Sequence, residues 1–189
     1  QTANILGINA LHQGVELECY YKPINTLNVK GMFSYGDYRW TDDVNFTLYN
    51  EDQSVAGTYN AYIADVHVGN SAQITAAVGV DYEVLPKLKV GVDFNWFGKN
   101  YADFDPTART TIESKVDAWE MPDYYLLDID ANYRFKMGSF NATIYGNVSN
   151  LLDTEYIADA TDGTYHDEFS SYVFYGFGRT WSAGLRINF

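Results

Sequence analysis

The chain has 189 residues and carries 25 acidic side chains against 12 lysines and arginines, a formal net charge of −13. That balance excludes a basic face for nucleic acid, which phosphate contacts require. A lone cysteine, Cys19, excludes an internal disulfide, and no apolar run reaches the roughly 18 residues of a membrane-spanning helix.

In chain order, apolar and polar residues alternate with a period of two, which predicts strands with one greasy and one polar face. The first, Gly14 to Lys22, sets Val15, Leu17, Cys19 and Tyr21 against Glu16, Glu18, Tyr20 and Lys22. The second starts at Leu27, and its apolar parity moves from Phe33 and Tyr35 to Tyr38 and Trp40 across Gly36-Asp37. A β-bulge is expected there, because one extra residue flips every later side chain. Similar stretches follow at Ile74 to Glu83, Leu88 to Trp96, Tyr125 to Lys136 and Asn141 to Ser149. The last, Arg179 to Phe189, sets Trp181, Ala183, Leu185, Ile187 and Phe189 against Thr180, Ser182, Gly184, Arg186 and Asn188. The total is seven strands and no helix.

The connections alternate strictly between short turns, at 23–26, 85–87 and 137–139, and long segments, at about 41–68, 103–122 and 157–172. A soluble sandwich or lipocalin-like barrel would have short connections at both ends. Short turns on one rim and long loops on the other are instead the pattern of an outer-membrane β-barrel. Aromatic residues gather toward the strand ends, as a membrane-boundary girdle does: Tyr35, Tyr38 and Trp40; Trp96, Phe97 and Tyr101; Tyr124 and Tyr125; Phe174, Tyr175 and Phe177.

The long segments hold fourteen acids against only Arg109 and Lys115. They are either solvated loops or a mouth that attracts cations. Lys22, Lys30, Lys87, Lys89, Arg134, Lys136 and Arg186 gather at the short-turn rim. In such barrels the last strand runs inward, so the first does too and lacks an outward neighbour; single-chain bacterial barrels have even strand numbers. Residues 1–189 therefore read as the C-terminal part of a larger antiparallel transmembrane barrel. At about 27 residues per strand a 22-stranded barrel needs roughly 600 residues. The alternative is a self-contained eight-stranded barrel, porin-like or adhesive, in which 1–10 supplies the missing strand.

On the polar face, Asp128 and Asp130 with Asp93, Glu16 and Glu18 could line a substrate path or hold a cation. The favoured expectation is that they pair across strands with Arg134, Arg186 and the lysines. Asp42, Asp43, Asp103 and Asp105 are candidate ligands for a loop-bound calcium; no other cofactor is expected. A hydrolase would need a nucleophile beside a base, for which His166 with Asp167 and Ser170 or Ser171, or His67 with Asp65, are the candidates. Nothing in their spacing fixes that geometry, so an enzyme is not expected.

The stretch "NVSNLLDTEY", Asn147 to Tyr156, resembles the penultimate-strand signature of TonB-dependent outer-membrane receptors, with Asn150, Leu151, Asp153 and Tyr156 in place and Leu152 where that family usually has Phe. "GVELECYYKPINTLNVKGMFSYGDYRW", Gly14 to Trp40, is similar to that family's barrel hairpins, and a last strand ending on Phe189 resembles its assembly signal. The resemblance implies uptake of a scarce ligand such as a metal chelate, cobalamin or glycan across the bacterial outer membrane. It further implies an inner-membrane TonB complex engaged through a plug domain N-terminal to these residues, contact with membrane lipid, and recognition by the barrel-assembly machinery. The long loops leave room for a surface lipoprotein; no nucleic-acid partner is implied.

Overall fold

The structure, a computed structural model, describes residues 2–188, so Phe189 and the role expected of it lie outside the described residues. In chain order the strands are β1 Thr2–Ile5, β2 Ala10–Ile24, β3 Leu27–Trp40, β4 Val44–Tyr49, β5 Val55–Ala61, β6 Ile74–Leu85, β7 Leu88–Gly98, β8 Asn100–Tyr101, β9 Glu120–Met121, β10 Tyr124–Met137, β11 Phe140–Ser149, β12 Ile157–Thr161, β13 Tyr172–Tyr175 and β14 Thr180–Asn188. Among the described residues the only helical pieces are two single 3₁₀ turns, Pro106–Ala108 and Ile112–Ser114.

The seven long alternating stretches form one antiparallel sheet in the order β14-β11-β10-β7-β6-β3-β2. It is open, with β2 and β14 at its edges. Register keeps the two faces apart, since apolar residue meets apolar residue: Val15 lies opposite Tyr35, Leu27 opposite Tyr82, Val80 opposite Val92, Leu127 opposite Phe94 and Ala142 opposite Ile187. Two-residue turns at Asn25–Thr26, Pro86–Lys87 and Gly138–Ser139 join the hairpins on one rim. At the second, Pro fixes the first turn position and Lys87 takes a φ of 73°, the left-handed conformation the next position needs.

The sheet has no core of its own. Leu17, Val78, Phe94, Ile144 and Leu185 on its greasy face are all exposed, and among the described residues no second sheet covers them. A soluble sandwich would bury that face, so the sheet's apolar solvent is lipid.

The expected bulge at Gly36-Asp37 is absent: Gln13, Gly14 and Val15 face Asp37, Gly36 and Tyr35 without a register shift. The parity change has another cause. Pairing of β3 with β6 ends at Tyr35–Ile74, and beyond it Tyr38 packs over Gly36 and stacks on His12 at 4.6 Å. Its ring therefore lies on the polar side, where the strand has left β6.

The long segments are not loose either. β4 and β5 form a hairpin, as do β12 and β13, while β8 pairs with β9. β1 pairs with β4 and so joins this upper layer, not the edge of β2 as an eighth strand. Together these pieces bury Val44, Phe46, Ala61, Ile63, Val66, Ala102, Phe104, Ala118, Met121, Ile157 and Ala160, the chain's hydrophobic core. We call this layer the cap.

Candidate functional site

On the polar face, the expected pairings form at one place. Lys30 and Asp93 sit either side of Gly79 in register, and with no side chain between them they meet at 2.9 Å. Asp93 also lies directly opposite Asp128, a repulsive juxtaposition that Lys30 offsets on one side. On the other side Asp128 accepts the Asn150 backbone N–H at 2.8 Å. Asp130 flanks Gly91 opposite Asp81, while Glu16 and Glu18 on the edge strand β2 face Ser34 and Met32. Contrary to expectation, Arg134 and Arg186 pair with no carboxylate among the described residues. Both lie opposite Thr143, and Arg186 instead lies over the Tyr145 ring at 5.9 Å.

The Asn-Leu-Leu-Asp motif is a structural tie between β10, β11 and the approach to β14. Buried Asn150, at a φ of 51°, uses its amide to donate to the Thr154 carbonyl at 2.9 Å and the Phe177 carbonyl at 3.3 Å, and accepts from the Thr154 N–H at 2.8 Å. Asparagine tolerates the left-handed region, which accounts for this residue type here. Leu151 donates its N–H to the Leu127 carbonyl at 2.7 Å, and Leu152 is exposed. Asp153 accepts the Arg179 N–H at 2.8 Å, and Tyr156 stacks on Tyr124 at 4.5 Å.

In the cap, the four candidate calcium ligands serve separate partners. Asp42 accepts from Thr41 and Asn9. Asp43 accepts the N–H groups of Ile63 and Ala64, each at 2.8 Å, and pairs with Lys115 at 3.2 Å. Burial disfavours its charge, but the Ala64 and Ile63 N–H groups and Lys115 outweigh that and hold it below the usual carboxylate range. Asp103 accepts from the Phe104 N–H, and Asp105 caps the first 3₁₀ turn through Thr107. Among the described residues no three His, Cys, Asp or Glu side chains converge as a metal needs.

The centre of the cap is a pair that the sequence reading did not single out. Arg109 and Asp162, 3% and 2% exposed in their side chains, meet at 3.2 Å. Arg109 also donates to the carbonyls of Ser114 and Val116 and lies over the Phe104 ring at 4.0 Å. Burial pulls its pKa down, against the pull of Asp162 and Asp117. Asp162 in turn accepts the Trp119 N–H at 3.1 Å and approaches His166 Nδ1 to 2.5 Å. A buried pair so fully bonded is a fastener for two loop segments, 103–122 and 157–172.

The histidines find acids other than those expected. His166 meets Asp162, while Asp167 accepts from the Ser170 N–H at 2.9 Å and its carbonyl accepts from the Ser171 hydroxyl. Neither serine is hydrogen-bonded to His166, so no nucleophile–base pair forms among the described residues. His67 stacks on Tyr101 at 4.2 Å and reaches Asp117, not Asp65, with Nδ1 at 2.9 Å, although the ring is out of line for a hydrogen bond. Tyr101 is pushed up to about 12 by burial, with Glu120 and Asp117 adding to the effect.

A family model described as TonB dependent receptor-like, beta-barrel matches residues 1–151. No curated protein matches the chain. Among solved structures the siderophore receptor PiuA from Acinetobacter baumannii is similar at a TM-score of 0.64 and 21% identity, over 94% of this chain and 22% of that one. FpvA of P. aeruginosa, bound to heterologous pyoverdines, is similar at 0.57 and 20% identity, over 94% of this chain and 19% of that one. The ferripyoverdine receptor of the Pseudomonas aeruginosa outer membrane, bound to ferripyoverdine, gives 0.54 and 20% with the same coverage. At these identities the likeness is one of fold, and this chain spans about a fifth of the length of those receptors.

Proposed function

The chain belongs to the TonB-dependent receptor-like β-barrel family, whose members are bacterial outer-membrane proteins, and from that premise we propose that it forms the C-terminal seven strands of a 22-stranded receptor that imports a scarce metal chelate. The observation that carries the reading is the open seven-stranded sheet, greasy on one face and polar on the other, beneath a folded cap. Open edges at β2 and β14 would be closed by further strands of the same barrel, because lipid leaves no sheet edge unpaired. The fold likeness to siderophore receptors favours an iron chelate over the other ligands of the family. Coupling to a TonB complex would pass through a plug domain N-terminal to these residues. In this reading the protein binds and releases its ligand and performs no covalent chemistry on it.

Two measurements test it. Denaturing mass spectrometry of the membrane-extracted polypeptide should give a mass several times that of these 189 residues; a mass equal to theirs would exclude the large barrel. Under iron limitation, deleting the gene should abolish uptake of at least one labelled ferric chelate, and deleting TonB should do the same. Unchanged uptake of every chelate tried would overturn the import reading.

A further inference from the structure

A cavity of about 560 Å³ opens inside the cap, walled by residues between 104 and 114 and between 161 and 172, with no contribution from the seven-stranded sheet. That volume lies within the roughly 300–1,000 Å³ of small-molecule sites. Its two buried charges, Arg109 and Asp162, neutralise one another, and both Asp162 oxygens are already taken by Trp119, Arg109 and His166.

What remains for a ligand is a set of unengaged polar atoms. Among the described residues, Arg109 Nε, His166 Nε2 and the hydroxyls of Thr161, Thr164 and Tyr172 have no protein partner, and all five residues line the cavity. His166 Nδ1 faces the Asp162 carboxylate, which turns Nε2, a nitrogen that can accept or donate, toward a ligand. Arg109 Nε is a donor, and the hydroxyls act as either.

Three ligand classes fit this lining poorly. An anion finds no uncompensated positive charge, since Arg109 is neutralised and Asp105 adds a negative one, under loops that are acidic throughout. A metal ion finds no three converging ligands among the described residues. A purely apolar molecule would strand the unengaged donors and acceptors.

We infer that the cap cavity binds a neutral, polyhydroxylated ligand, a sugar ring, whose hydroxyls exchange hydrogen bonds with Arg109 Nε, His166 Nε2, Thr161 and Thr164. Tyr172, exposed at the wall, offers a flat ring for the sugar's apolar face. The site is separate from the polar face of the sheet and does not depend on what the barrel imports.

The test uses the intact receptor in a zwitterionic detergent without a sugar headgroup. Saturation-transfer NMR and calorimetry with glucose, galactose, mannose and N-acetylglucosamine should detect binding of at least one. Thr164→Val and Tyr172→Ala each remove one contact from an exposed position, so the cap should keep its protease resistance. Each should weaken that sugar by about tenfold, the scale of one lost hydrogen bond or stacking contact. If either variant loosens the cap, the other decides. Absence of binding by all four sugars, binding of inorganic phosphate in their place, or affinity unchanged in a folded variant would overturn the inference.

Discussion

The sheet and the cap differ in where they send their apolar side chains. In the sheet Leu17, Val78, Phe94 and Leu185 point outward and stay exposed, so burial against protein contributes little and the backbone ladder carries the structure. In the cap Phe46, Ile63, Ala102 and Ala160 are almost wholly enclosed, as in a water-soluble domain. Charge follows the same division. On the sheet's polar face Lys30 pairs with Asp93, and Arg134 and Arg186 pair with no carboxylate among the described residues. In the cap, both loop cations are consumed, Arg109 by Asp162 and Lys115 by Asp43. One chain therefore folds by two rules, lipid setting one and water the other.

The contrast is broken most strongly at the buried pair. Asp162→Ala leaves the Arg109 charge without its counterion in a desolvated site, which should cost the cap about 3–5 kcal/mol. Limited proteolysis should then cut within 103–122 or 157–172, while the sheet keeps its resistance to denaturation by detergent on unheated gels. Arg109→Met combined with Asp162→Leu should restore much of the protection, because no buried charge remains. Loss of the barrel together with the cap would show that the two are not separately stabilised.

A matched pair of truncations sharpens the same comparison. Phe46→Ala empties a fully enclosed site in the cap and should cost about 3–5 kcal/mol. Phe94→Ala, on the greasy face of β7, should cost far less, because lipid fills the space the ring leaves. Hydrogen exchange resolved by segment would separate the two. On the sheet itself Val78→Arg should cost about 2–4 kcal/mol if it faces the bilayer midplane, whereas Ala77→Arg, one residue earlier and on the polar face, should cost under about 1 kcal/mol. Equal costs at 77 and 78 would mean that the faces are misassigned.

How much of this was readable beforehand follows the same division. The seven strands and their faces were legible because period-two alternation is a local property that lipid and lumen impose on every residue. The parity slip at Tyr38 and Trp40 was legible too, but its cause was not, since it depends on Tyr38 reaching Gly36 and His12. The cap was not legible. Its strands are short, and its partners lie tens of residues apart, as Arg109 and Asp162 do. One signal was present: two cations among fourteen acids are the ones most expected to be bound, and both are. The abundant loop acids also have a structural explanation, because Asp43, Asp105, Asp117 and Asp167 each accept a backbone N–H that the irregular chain would otherwise leave unpaired.

The smallest expected effect tests that last point through pH. Asp43 has its folded-state pKa lowered from the usual value of 3.8, burial opposing and the N–H groups of Ala64 and Ile63 with Lys115 prevailing. A depressed carboxylate pKa contributes stability that is complete above the unfolded value and is lost as pH falls through the folded one. The cap should therefore loosen between pH 4 and more acidic conditions, by no more than about 1 kcal/mol for this partly exposed group. Asp43→Asn keeps an oxygen acceptor for the two N–H groups and removes the charge, so it should erase that acid-dependent step while leaving the neutral-pH cap only slightly weakened. A step of undiminished size in the variant would assign the loosening to other cap carboxylates, of which Asp167, lowered by the Ser170 hydroxyl and N–H, is the next to replace.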